Sequence, residues 1–254
     1  MNDILLSIEN LSLSFRGITA IDGLDCRVDR GALLGIVGPN GAGKTSVLNC
    51  ISGFYRPQQG RIVFSGHDIT DMPTHRRAAL GIARTFQNVE IYSGMTVVEV
   101  ILSGRHLHMN SDLLRAGLFV GPCRSDEIRN RDTVERLIDF LELGPYRSAV
   151  AGILPAGIQK RVALGRALAM EPSLLLLDEV TSGMSVEEKR DMARFIGEAR
   201  AEHGMTILLI EHDLSFVGSM AERVLVMDYG RKIAEGPPED VLRAPEVVAA
   251  YVGE

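Results

Sequence analysis

The chain is 254 residues long, 46% hydrophobic and 24% charged, with a formal net charge of −6; this predicts a globular fold and excludes disordered and fibrous architectures. Its acidic balance, 5% aromatic content and lack of Trp argue against free-standing nucleic-acid binding. Cys26, Cys50 and Cys123 form no CxxC pair, no apolar run approaches the roughly 20 residues that span a bilayer, and MNDILLSIEN has no basic leader, so the expectation is a cytosolic protein.

Leu6, Ile8, Leu11, Leu13 and Phe15 alternate with polar residues, a period of two that predicts strand with a slip near Asn10. The apolar run 33–37 predicts a strand that ends in Gly38 and leads into a helix over 44–52. Residues 60–69 again predict strand. From about 90 to 170 the pattern turns helical, over 97–102, 125–143 and 156–170. Beyond it comes a buried strand at 174–177, a helix over 185–203 opened by a Ser185/Glu188 capping box and closed before Gly204, and a strand at 205–210.

Between the first buried strand and its helix stands Gly38-Pro39-Asn40-Gly41-Ala42-Gly43-Lys44-Thr45, followed by Ser46, which matches GxxxxGK[ST] at every required position. Glycines let successive backbone N–H groups turn inward to form a nest for phosphate oxygens. Lys44 adds a point charge for the β- and γ-phosphates, and Thr45 a hydroxyl for Mg²⁺. The strand at 174–177 delivers Asp178 toward the same metal and Glu179 toward the γ-phosphate, where a carboxylate can orient or deprotonate water. Strand 174–177, helix 185–203 and strand 205–210 form a βαβ unit with parallel strands. If the two are neighbours, His212 emerges on the edge that carries Asp178 and Glu179, as a γ-phosphate sensor or as a structural strand-end histidine.

In this order and spacing, IVGPNGAGKTS, LLLLDE and ILLIEHD resemble the ATP-binding subunits of ABC transporters, across essentially the whole chain. The resemblance implies an α/β fold, a P-loop NTPase of ABC type with a mixed sheet core, an antiparallel β region and a helical insert. It implies one domain over 1–254 whose helical subdomain occupies about 90–165. It also implies an ATPase that uses ATP and Mg²⁺, with Phe15 stacked on adenine and Gln87 of ARTFQN touching Mg²⁺. Asp178 then serves the metal, Glu179 is the catalytic base and His212 the switch histidine. The implied partners are a second ABC ATPase subunit, the same or a related chain, and integral-membrane permeases, with the chain on the inner face of the cell membrane.

RTFQNVEIYSGMTVVEVILSGRH and DLLRAGLFVGP resemble more narrowly the ATPases of branched-chain and hydrophobic amino-acid uptake, a branch that also handles amides, urea and aromatic acids. The lipopolysaccharide-export ATPase is a neighbouring branch, from which the long loop at 105–125 departs. A non-transport ABC protein of the translation or DNA-repair kind and a regulatory module that clamps ATP are the readings from other classes.

The family's LSGGQ signature here reads Leu154-Pro155-Ala156-Gly157-Ile158. Pro155 has neither the serine hydroxyl nor a backbone N–H, so the half-site is expected to be weakened, with Ala156, Gly157 and the following helical turn still presenting N–H groups. Val180 replaces the usual proline after Glu179, and the loop Ser182-Gly183-Met184-Ser185 carries Ser where the family often has Asp or Asn. His106 and His108 have no ligand-spaced Cys or carboxylate and read as a solvated loop; Cys50 reads as a core residue. Lys160, Arg161 and Arg166 read as a solvated basic face or as phosphate neighbours. Ile91, Tyr92 and Met95 suggest either core packing or a groove for a helix of the membrane subunit.

Overall fold

The computed structural model describes residues 3–85, 94–109 and 122–252, with the side chains of 122–126 and 252 excepted. The chain divides into two compact units, Met1–Arg84 with Ser173–Val180 and Ile196–Glu254, and Thr85–Pro172 with Thr181–Phe195.

The first unit contains β1 (Ile4–Phe15), β2 (Ile18–Asp29), β3 (Leu33–Val37), α1 (Lys44–Ser52), β4 (Gln59–Phe64), β5 (His67–Asp68), α2 (Thr74–Ala79), β6 (Ile82–Arg84), β7 (Leu174–Asp178), β8 (Thr206–Ile210), β9 (Arg223–Asp228) and β10 (Arg231–Gly236). An antiparallel sheet runs β2-β1-β4-β5, and a six-stranded sheet runs β10-β9-β3-β8-β7-β6. In the latter only the β9–β10 pair is antiparallel. Every residue of β3, β7 and β8 is buried, which is why these strands read as continuous apolar runs rather than alternating ones. Leu34, Ile36, Leu176 and Leu208 from this sheet, Ile8, Leu24 and Ile62 from the antiparallel one, and Val47, Leu48 and Ile51 from α1 share one core. Each such side chain contributes about 1.5–3 kcal/mol by leaving water.

The expected slip in β1 is a bulge: the β1–β2 register shifts between Ile8 and Leu11, and Asn10 takes φ 48°. The strand expected over 60–69 is a hairpin instead. Ser65 and Gly66, at φ 49° and 79°, turn β4 back into β5, so the run cannot remain one strand. β7 and β8 are parallel neighbours, as the βαβ reading requires. Beneath α1, Arg77 is 2% exposed and donates to the carbonyls of Cys50, Ile51, Thr70 and Met72.

The second unit contains the helices Val97–Ser103, Pro122–Phe140 and Ala156–Leu168 and the start of Val186–His203. Thr96 and Glu99 form a capping box on the first, and Ser185 and Glu188 form the expected one on the last. Gly165 permits close helix packing, since a Cβ there would stand 2.8 Å from Leu141 Cδ1. Arg161 pairs with Asp191 at 2.9 Å and lies over the Phe195 ring. The middle helix closes at Phe140, short of the expected 143, because the chain turns at Glu142, φ 55°.

Candidate nucleotide site

Gly38, Gly41 and Gly43 adopt φ 149°, 78° and 99°. A Cβ at Gly38 would lie 2.1 Å from the Met227 carbonyl oxygen, and one at Gly43 2.2 Å from that of Ala20. Glycine is therefore required twice over, by backbone conformation and by space. The loop is held from outside where Gly230 N–H donates to the Ala42 carbonyl and Gly230 accepts from Asp22 N–H. α1 then starts with no side-chain cap and no acidic residue in its first turn. A helix start of this kind presents N–H groups and a partial positive charge that suit an anion. Lys44 is 5% exposed, and its Nζ donates to the carbonyls of Gly38 and Pro39 at 2.6 and 2.8 Å; Asn40 and Thr45 are exposed.

Asp178, 3% exposed, ends β7 opposite Ile210 of β8. Glu179 follows at φ 49° and donates its N–H to the Ile210 carbonyl at 2.9 Å. A non-glycine residue in that conformation stores about 1–3 kcal/mol and is tolerated where surrounding structure enforces it. His212 leaves β8 on the same edge, and its Nε2 lies 2.8 Å from Glu179 Oε1. An ionised carboxylate only accepts, so the imidazole donates in this contact. The two residues whose neighbourhood rested on strand order in the sequence are directly bonded. Phe15, 41% exposed, packs edge-on against Tyr55 with ring centroids 4.9 Å apart; Tyr55 escaped the sequence reading because nothing local links it to β1.

In the second unit the signature residues form a helix start. Pro155 is the N-cap of Ala156–Leu168 and its carbonyl accepts from Gln159 N–H at 3.0 Å. Proline here stands one residue before the first helical position and leaves the helix intact. The Gln159 side chain turns back to donate to the Leu154 carbonyl at 2.7 Å. A Cβ on Gly157 would stand 2.1 Å from Glu188 Oε1, so the capping carboxylate of one helix lies against the first turn of the other. Gln87, Ile91 and Tyr92 lie outside the described residues. Met95 takes part through its backbone, accepting from Ala151 N–H, and Cys50 is buried as expected.

The ABC transporter family model matches residues 21–182 of this chain. The chain belongs to the ABC transporter family. It is thus an ATP-binding cassette and, in enzyme class, an ATPase. It is 37% identical over 251 residues to the high-affinity branched-chain amino acid transport ATP-binding protein BraF of Pseudomonas aeruginosa, covering 98% of each chain. It is 34% identical to LivG of Escherichia coli, of the same description, over the full length of both. Among solved structures, an ATP-binding cassette of an ABC transporter in its ADP conformation superposes with TM-score 0.83 at 32% identity, covering 99% of each chain. These comparisons favour neither the lipopolysaccharide-export reading nor the non-transport one.

The donor set of the cassette suits Mg²⁺. Among the described residues no group of three or more His, Cys, Asp or Glu side chains could hold a metal ion. Thr45 and Asp178 offer hard oxygen donors of the kind that Mg²⁺ takes.

Proposed function

We propose that this chain is the ATP-hydrolysing subunit of a membrane importer for branched-chain or other hydrophobic amino acids or related small organic solutes. The full-length likeness to BraF and LivG supports the solute class. The Glu179–His212 bond beside the phosphate-loop strand carries the chemistry.

In this reading the 38–46 loop and Lys44 bind the phosphates of ATP, and Phe15 stacks on adenine. Thr45, Asp178 and Gln87 hold Mg²⁺, which when bound neutralises charge on the β- and γ-phosphates. Glu179 orients and deprotonates the attacking water, and His212 holds Glu179 and senses the γ-phosphate. The second unit is the helical subdomain inserted into the nucleotide core. Leu154, Pro155, Ala156 and Gly157 engage the nucleotide of a second ATPase chain, identical or related, weakly because Pro155 offers no donor. ATP closes the pair by binding the closed form better, and hydrolysis reopens it. No helix among the described residues is long and apolar enough to cross a membrane; the chain is carried on the inner membrane face by permease subunits.

The test is uptake of labelled leucine, isoleucine and valine in cells lacking the chain, restored by wild type and by Glu179→Gln. Rescue by wild type alone supports the reading. Unchanged uptake in the deletion strain, with loss of urea or amide uptake instead, moves the solute elsewhere.

A further inference from the structure

Arg84 ends β6, one strand over from Asp178. In the parallel ladder it pairs with Leu176, two residues before Asp178 and on the same face of the sheet. Its Nη2 donates to Asp178 Oδ2 at 2.7 Å. Its Nη1 donates to Asn49 Oδ1 at 2.6 Å and to Ser52 Oγ at 3.1 Å, both on α1. The Arg84 and Asp178 side chains are 10% and 2% exposed, and the guanidinium carbon lies 5.9 Å from the Phe54 ring centroid.

This arrangement bears on how Asp178 can meet a metal, and it rests on the reading of Asp178 as the carboxylate that serves Mg²⁺. While Oδ2 carries the guanidinium, Asp178 cannot chelate an ion through both oxygens. Nor can the guanidinium step aside freely, since α1 grips its other arm. Ca²⁺ takes six to eight oxygens and readily uses bidentate carboxylates, whereas Mg²⁺ and Mn²⁺ sit in octahedral shells with one oxygen per carboxylate or with a water between. The adjacent cation also weakens any divalent ion that arrives without phosphates to balance it. We propose that Arg84 is the metal-specificity residue of this cassette: it restricts Asp178 to one-oxygen or water-mediated use, selecting small octahedral cations over Ca²⁺.

The nucleotide contributes the same preference to wild type and variant, so a competition experiment that compares them reads the protein's share. The full chain is loaded with a non-hydrolysable ATP analogue and Mn²⁺, and displacement of bound Mn²⁺ by Ca²⁺ is followed by electron paramagnetic resonance. Arg84→Met is expected to lower the Mn²⁺-over-Ca²⁺ preference at least tenfold, with nucleotide binding in EDTA within about twofold of wild type. Arg84→Lys, which keeps the charge but cannot grip both sides, is expected to fall between. Asn49→Ala, which frees one arm, is expected to shift the preference in the same direction and serves if Arg84→Met does not fold. An unchanged preference in Arg84→Met, or in Asn49→Ala where only that variant folds, overturns the proposal, provided Asp178→Asn weakens Mn²⁺ binding. If Asp178→Asn leaves Mn²⁺ binding intact, the metal reading of Asp178 fails and this inference falls with it.

Discussion

His212 Nε2 and Glu179 Oε1 meet at 2.8 Å across the ends of two adjacent parallel strands. Glu179 is fixed from its backbone by the Ile210 carbonyl and from its side chain by the imidazole, so little freedom remains in the carboxylate proposed as the base.

Removing the base while keeping its shape, with Glu179→Gln, should lower ATP turnover by about 10²–10⁴-fold at near-normal nucleotide affinity. His212→Ala should lower turnover as well. Because the pair acts as a unit, the double variant should be far less impaired than the product of the two losses. Steady-state ATPase kinetics on the four proteins check this; additive losses would mean that the contact has no catalytic role. Light scattering of Glu179→Gln with and without Mg²⁺-ATP should show a nucleotide-dependent dimer if the Pro155 signature engages in trans.

Gly38→Ala and Gly43→Ala should each destabilise the fold by about 2 kcal/mol or more, since the added methyl meets a backbone carbonyl at a left-handed position. Gly41→Ala meets only the backbone cost, with nothing within 4 Å of its Cβ. Denaturant unfolding of the three variants distinguishes space from conformation.

Arg77→Met should cost about 3 kcal/mol or more, because four carbonyls lose their donor in a buried place. Loss of the α1 C-terminal anchor should appear as faster amide exchange at residues 49–53. An unchanged melting temperature would show that water can replace the guanidinium there.

Gly157→Ala should drive the Glu188 carboxylate out of its capping box, at a cost of about 1 kcal/mol. Glu188→Ala removes the obstacle, so the double variant should lose no more than Glu188→Ala alone. Equal costs in both backgrounds would deny the collision.

The two capping carboxylates also set an acid limb. Glu188 lies below the ordinary glutamate value because Ser185 donates its backbone N–H and then its hydroxyl; Glu99 does so through the same two groups of Thr96. A folded value below the unfolded one gives stability that is full above the ordinary glutamate pKa and lost as pH falls through the folded value. Stability of Glu99→Gln and Glu188→Gln should therefore vary less with pH below that value than wild type; identical acid profiles would remove the boxes from the account.

The phosphate loop, β3, β7 and β8 were legible because each is a local run of residues, and the parallel pairing followed from chain order. The bulge at Asn10 was legible from a break in alternation. Strands β2, β6, β9 and β10 were not, since their pairing depends on partners distant in sequence. Arg84 and Arg77 look in sequence like any surface arginine; only the fold shows one clasped by Asp178 and α1 and the other surrounded by carbonyls. Tyr55 and Glu188 likewise acquire their neighbours through tertiary packing. The binding motif could be read because its chemistry is contiguous, and the supporting contacts could not because theirs is not.

β3, which leads into the phosphate loop, lies between β8 and β9, pairing Leu33 with Ile207 and Leu34 with Arg223. These partners are separated by about 170 to 190 residues of chain. During synthesis the nucleotide motif emerges well before its neighbours, and its strand stays unflanked until β8 and β9 have left the ribosome. An amino-terminal fragment ending before β8 would expose both edges of an apolar strand and invite aggregation. Competence to hold ATP therefore waits on the synthesis of β8 and β9, well after the loop itself has been made.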